Sequence, residues 1–178
     1  LGMALEVIGV LWLALIISVD VTGWAMAPGL FIYGAGVGFA TAQLAGVILS
    51  EIPIAESGQA SAVQSTSRQV GAAIGTALLG AVLITGFGGI KGDLTDLGVP
   101  EEAAAQVTTA VQQSAGTAVV ALPQQPDGDV LFKGASEGFA TAVKGVGFVA
   151  AGLISLGLLA AFFLPRNAAR TEAAGYVE

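Results

Sequence analysis

Three long, mostly apolar runs of this sequence contain no Asp, Glu, Lys or Arg: residues 21–50, 69–90 and 145–165. A fourth, 7–19, is shorter, and Leu1–Leu5 extend it with only Glu6 between. The hydrocarbon layer of a bilayer is about 30 Å thick, and a helix rises about 1.5 Å per residue, so about 20 apolar residues cross it. Four runs of this kind leave a soluble globular fold little to build from. The charged fraction agrees: it is 11%, against about 25% for an ordinary soluble domain. The reading is an all-α membrane protein with four transmembrane helices.

The spans are placed at about 1–19, 28–52, 57–87 and 138–165. Asp20 closes the first. Pro28, suited to a first helical turn, opens the second, and Trp24 lies between the two, at an interface position for an aromatic ring. Ser57 is an N-cap candidate for the third, and Pro165 ends the fourth. No basic residue or small-residue cleavage site marks the first segment as a secretory leader, so it reads as a span. The chain opens on Leu1 rather than Met, and the expectation is a piece of something longer.

Two connections, Asp20–Ala27 and Pro53–Glu56, are short and make neighbouring helices antiparallel. The third, 88–137, is long and rich in charge. It reads as a water-exposed, extracytoplasmic loop carrying one weakly amphipathic helix. Pro100, Glu101 and Glu102 start that helix, Val107, Val111 and Ala115 share a face, and Gly116 ends it. Ala118–Leu122 is apolar but too short to span. Arg166 and Arg170 in the tail, 166–178, favour a cytoplasmic C-terminus by the positive-inside rule, and Arg68 agrees.

The net charge of −7 gives no basic surface for nucleic acid. With no Cys and no His, thiol catalysis and Cys/His metal sites are excluded. No nucleophile–base pair is present, so no catalytic residue, metal or cofactor is assigned and the chain is not read as an enzyme. Gly34-Ala-Gly36-Val-Gly38 lies mid-span rather than after a strand, which argues against a dinucleotide loop. Asp127 and Asp129 lack calcium-loop spacing and read as a solvated turn.

Lipid supplies no hydrophobic drive between helices, so small residues mark the contact faces. Stripes run through Gly34, Gly38, Ala42 and Gly46, through Ser67, Gly71 and Gly75, and through Gly147, Ala151 and Ser155. They read as packing faces, or as surfaces that slide or leave room for a cavity. Ionisable groups in a span are costly and often functional. Arg68 either snorkels to lipid phosphate or pairs with an acid elsewhere to hold a gate. Glu6 is either an inner-edge residue reaching water or a proton-binding carboxylate, and Lys144 reads as an edge anchor. Gln43 either bonds a neighbouring helix or faces a cavity. Tyr33 suits an aromatic belt, Phe31 and Phe39 offer aromatic surface to lipophilic cations or to lipid, and Gln64 lies one turn from Arg68.

From Glu56 to Gly80 the sequence is ESGQASAVQSTSRQVGAAIGTALLG. With Gly58, Ala60, Ser61, the Arg68–Gln69 pair, Gly71 and Gly75, it resembles a signature of the major facilitator superfamily. It is similar to the 14-helix drug:proton antiporter branch, the QacA/EmrB-like multidrug efflux proteins. The Gly-x-Gly-x-Gly of the preceding span and the closing Leu164–Pro165–Arg166 fit the same pattern. The resemblance implies that the four spans are the last part of the C-terminal half of a major facilitator fold. The missing N-terminal helices of the same transporter would then be partners, with the bilayer, protons and a small hydrophobic or cationic substrate. It implies a multi-pass protein of the plasma membrane, driven by the proton gradient. The second span would line the cavity, making Gln43, Tyr33 and Phe39 substrate-cavity candidates. The third would lie between the two halves, making Arg68, Gln64, Gln69, Gly71 and Gly75 gating or interdomain candidates. Two alternatives stay open: a transporter of the same fold for another solute, and a self-standing four-helix membrane scaffold subunit.

Overall fold

A computed structural model describes residues 1–50, 53 and 56–163, with the side chains of 44–50 outside the description. The described residues are helical, with no strand among them. The helices are α1 (Gly2–Ile16), α2 (Gly23–Ser50), α3 (Ser57–Gly86), α4 (Ile90–Asp96), α5 (Glu101–Gln113) and α6 (Gly128–Phe162). Two 3-10 segments, Phe87–Gly89 and Thr117–Gln124, join them. Among the described residues, three helical stretches are long and apolar enough to cross a membrane: Gly23–Gln43, Ser57–Asp96 and Gly128–Phe162. α1 is apolar but has 15 residues, about 22 Å of helix. The ends of the second and fourth expected spans, most of the Pro53–Glu56 turn, and Leu164 to the C-terminus lie outside the described residues.

α1 packs against α2 on one side and α6 on the other, and α6 also packs against α3. Each contact is made through a small residue. A Cβ on Gly36 would lie 2.6 Å from the Glu6 nitrogen, and one on Gly9 would lie 2.6 Å from the Tyr33 nitrogen. The α1 and α2 backbones therefore touch, as they do where glycine faces a neighbouring membrane helix. Gly147 meets Ala14, Gly157 meets Met3, and Gly86 meets Ala142 in the same way. The ordering of these pairs makes α1 antiparallel to α2 and α6; Leu79 of α3 lines one cavity with Ala150 and Ile154 of α6, which makes α3 antiparallel to α6 as well.

The small-residue stripes separate on this geometry. Gly147 and Ala151 of α6 lie against α1, with Ala151 buried. Gly34 and Gly38 have open space around them, because α2 turns the Gly29, Tyr33, Gly36 and Ala40 face to α1 instead. Gly71 and Gly75 are also open, and no residue of α3 is buried. Gly46 falls where side-chain surroundings are not described.

The segment between α3 and α6 is a folded cap rather than a loop with a single helix. Phe87, Ile90, Leu94 and Val111 are fully buried there, joined by Ala104, Val119, Leu122, Leu131 and Ala135. The rings of Phe87 and Phe139 stack with centroids 5.4 Å apart. α6 starts at Gly128, ahead of the charge-free run. Asp129, Lys133 and Glu137 recur every four residues on one face, while Leu131, Gly134 and Ala135 are buried on another, so this first part is an amphipathic cap helix.

α5 begins after Pro100, with Glu101 and Glu102 in its first turn, where acids meet the positive end of the helix. Its buried face is Ala104, Thr108 and Val111. Ala115 is not on that face, because the helix has already ended. Gly116 donates its N–H to the Val111 carbonyl at 2.8 Å, Ala115 donates to Gln112 at 3.3 Å, and Ala115 has φ 50°. This is a Schellman motif with alanine at the left-handed position. Gly116 follows at φ 94°, and a Cβ there would collide with the ring of Phe139. At the start of α3, Glu56 holds the N-cap position and Ser57 is the first helical residue. α2 begins at Gly23, so Pro28 lies inside it and leaves the Trp24 carbonyl without its usual donor.

Candidate membrane site

The helix contacts set a common depth scale. Charge-free stretches run from Gln69 to Gly86 on α3 and from Gly145 to Phe162 on α6, each about 27 Å long. The Gly86–Ala142 contact aligns them side by side. Lys144 and the cap then stand at one edge of the paired apolar stretches, and Arg68 at the other. Trp24 falls at the cap-side edge and is 89% exposed. Gln43 lies 19 residues along α2 from Trp24, about 28 Å, so it falls at the far edge.

Between those edges lies an apolar cavity of about 360 Å³ bounded by all four long helices. Val10 and Leu13 of α1, Leu30 and Tyr33 of α2, Leu79 of α3, and Ala150, Leu153 and Ile154 of α6 line it. Tyr33 brings the one polar side chain of the lining. A second cavity of about 350 Å³ lies at the cap-side edge between Ile17–Val19, the Val119–Val120 segment and the Phe132–Val143 part of α6.

The cavity-candidate residues do not converge. Tyr33 lines the four-helix cavity and touches Gly9 of α1. Phe39 and Gln43 are exposed on another side of α2, one turn from each other. Among the gating candidates, Gln64, Arg68, Gly71 and Gly75 share one face of α3 by their spacing of four, three and four, whereas Gln69 lies off it. Arg68 and Gln69 are exposed, Gln64 is half-buried, and Arg68 has no ion-pair partner among the described residues. Two hydroxyls within the long helices are satisfied locally: Ser155 donates to the Ala151 carbonyl at 2.7 Å and Thr85 to the Ala81 carbonyl at 2.8 Å.

The sequence reading passed over Gly29 and Gly36 as contact residues. The signal was present, since Gly29, Tyr33, Gly36 and Ala40 recur at spacings of four, three and four around the tyrosine. Two faces of α2 carry small residues, and only the position of α1 chooses between them.

The charges of the cap are arranged at its surface. Lys91 Nζ donates to Glu101 Oε1 at 2.7 Å, and that hydrogen bond holds the Glu101 carboxyl below its ordinary range. Burial lifts the Asp93 carboxyl above its ordinary range, and the negative charges of Glu137 and Asp96 add to the effect. No group of three or more Asp, Glu, His or Cys side chains disposed to hold a metal occurs among the described residues.

No protein-family model matches the chain, and neither a curated protein nor a solved structure matches it.

Proposed function

We propose that the chain is the C-terminal part of a proton-coupled multidrug efflux transporter of the major facilitator type, with four spans counting α1. In this reading it moves hydrophobic or cationic compounds across the plasma membrane, with the cap outside and the C-terminus in the cytoplasm. Transporters of this architecture bind substrate near the bilayer midplane between two helical halves and rock between inward- and outward-open states. The sequence support is the Glu56–Gly80 stretch, which occupies the first part of α3.

The observation that carries the reading is the face of α3 holding Arg68, Gly71 and Gly75. The glycines have nothing within 4 Å, and Arg68 stands beside them without an acid partner among the described residues. Small residues with open space allow a further helix to approach closely, and an arginine at the membrane edge offers it a charged contact. The open Gly34 and Gly38 face of α2 repeats the pattern. Helices of the other half would cover both faces, and Arg68 would pair with one of their acids.

A self-standing scaffold subunit would cover the same faces with copies of itself. The test is transport: vesicles holding the whole transporter should move a fluorescent lipophilic cation when a pH gradient is imposed and stop when it is collapsed. Cation movement that ignores the gradient would refute the reading. Cross-links from position 71 of one copy to position 71 of another would favour the scaffold subunit.

A further inference from the structure

We infer that Glu6 is a proton-binding site inside the membrane, at the foot of the four-helix cavity. The inference requires that the helices cross a bilayer, and it does not require that the protein exports drugs.

The position follows from the helix contacts. Ala14 meets Gly147, three residues beyond Lys144, which puts Ala14 about 4 Å below the cap-side edge. Glu6 precedes Ala14 by eight residues on the same helix, a further distance of about 12 Å. The sum, about 16 Å, is close to the midplane of a hydrocarbon layer about 30 Å thick. The α1–α2 contact gives the same level independently. Glu6 lies against Gly36, its Cγ 2.9 Å from where a Cβ on that glycine would be. Gly36 is seven residues from Gly29 and from Gln43, so it stands well inside the span rather than at either end.

The side chain also faces the cavity. Glu6, Val10 and Leu13 lie on one face of α1 by their spacing of four and three, and Val10 and Leu13 line the cavity. Glu6 is half-buried one turn deeper. It has no hydrogen-bond or ion-pair partner among the described residues.

No counter-charge faces it. α1 carries no other titratable side chain between Gly2 and Ile16. On α2, Tyr33 is the one titratable side chain between Gly23 and Gln43, one turn towards the cap from Gly36. On α6, the stretch from Gly145 to Phe162 has none, and the stretch from Gln69 to Gly86 on α3 has none. An isolated carboxylate ion in hydrocarbon is costly, and such a group neutralises by taking up a proton. The carboxylate oxygen binds the proton on one exposure to water and returns it on the next, with no other bond made or broken.

The full chain in liposomes tests this with two carbodiimides, which react with the protonated carboxyl. Dicyclohexylcarbodiimide, which partitions into the bilayer, should modify Glu6 near neutral pH, as read by peptide mass spectrometry. A water-soluble carbodiimide should modify exposed cap acids such as Glu102 and leave Glu6 untouched. Modification of Glu6 should fall as the pH is raised, because the site exchanges its proton with water. Glu6→Gln should abolish the bilayer-phase reaction in that peptide with helix content retained. Equal reaction with both reagents would put Glu6 at a water-facing edge and overturn the inference. So would no reaction with either, or a reaction that does not change with pH.

Discussion

Gly86 of α3 and Ala142 of α6 meet so closely that a Cβ on the glycine would lie 2.9 Å from the Cβ of the alanine. This contact joins the cap to the membrane helices and aligns two charge-free stretches of similar length. Both partners lie on helices, so neither has a loop to yield into. A leucine at position 86 forces the helices apart.

Gly86→Leu should therefore destabilise the folded chain by about 1–3 kcal/mol, the usual cost of overpacking. Thermal unfolding in detergent, followed by circular dichroism, reads this as a lowered midpoint. Gly71→Leu is the control: open space surrounds Gly71, and the midpoint should not move. A drop at both positions would mean that α3 is covered along its length.

Ala115 occupies a left-handed backbone position that glycine adopts without strain. Ala115→Gly should stabilise the cap by about 1 kcal/mol, because the left-handed conformation costs an L-residue about that much. The greater freedom of glycine in the unfolded chain offsets part of the gain. Slower amide exchange in α5 and in the 3-10 segment after it would register the effect.

Asp93 makes the cap respond to pH. Its folded carboxyl binds a proton more readily than the unfolded one, so the ionised form costs stability at neutral pH. The cap should become more stable as the pH falls through the raised value towards the ordinary carboxylate range. Glu101 works in the opposite direction: its contribution is lost only as the pH drops through a lowered value. The two effects therefore occupy different windows. Asp93→Asn should raise stability at neutral pH and flatten the rise in stability towards acid pH, as measured by amide exchange in α4.

Much of this architecture was legible in the sequence, and the reason is lipid. Apolar runs without charge longer than about 20 residues have few folds open to them, so α2, α3 and the later part of α6 stood out. The cap did not, because its core is assembled from residues far apart in sequence. Phe87, Leu94, Val111 and Leu131 come from four separate elements and find one another only when the cap folds. Charge also concealed the start of α6, where Asp129, Lys133 and Glu137 interrupt an apolar run without interrupting a helix. Of the candidate site, the sequence shows only that Tyr33 and Glu6 are polar groups within apolar runs; that Tyr33 lines a cavity, and how deep Glu6 lies, are properties of their neighbours on other helices, and no local pattern states them.

In the proposed transporter, Arg68→Ala should abolish the proposed proton-driven efflux while leaving expression and membrane insertion intact. Arg68→Lys should restore part of the activity if the charge is what matters, and less if the two-pronged guanidinium geometry is required. Normal efflux by Arg68→Ala would return this residue to the role of a membrane-edge anchor.

The depth of Glu6, the edge position of Arg68 and the open faces of α2 and α3 all depend on the helices crossing a bilayer at the level set by Gly86 and Ala142. The chain has no cysteine, so single cysteines introduced along α3 and α6 can be tested with a membrane-impermeant maleimide in liposomes without removing any native thiol. Cysteines at 92 and 133 should react fully from the cap side. Cysteines at 75, 79, 151 and 155 should stay protected until detergent is added. Reaction at 75 or 151 as fast as at 133, in intact liposomes, would show that water reaches the full length of these helices and would contradict the membrane placement.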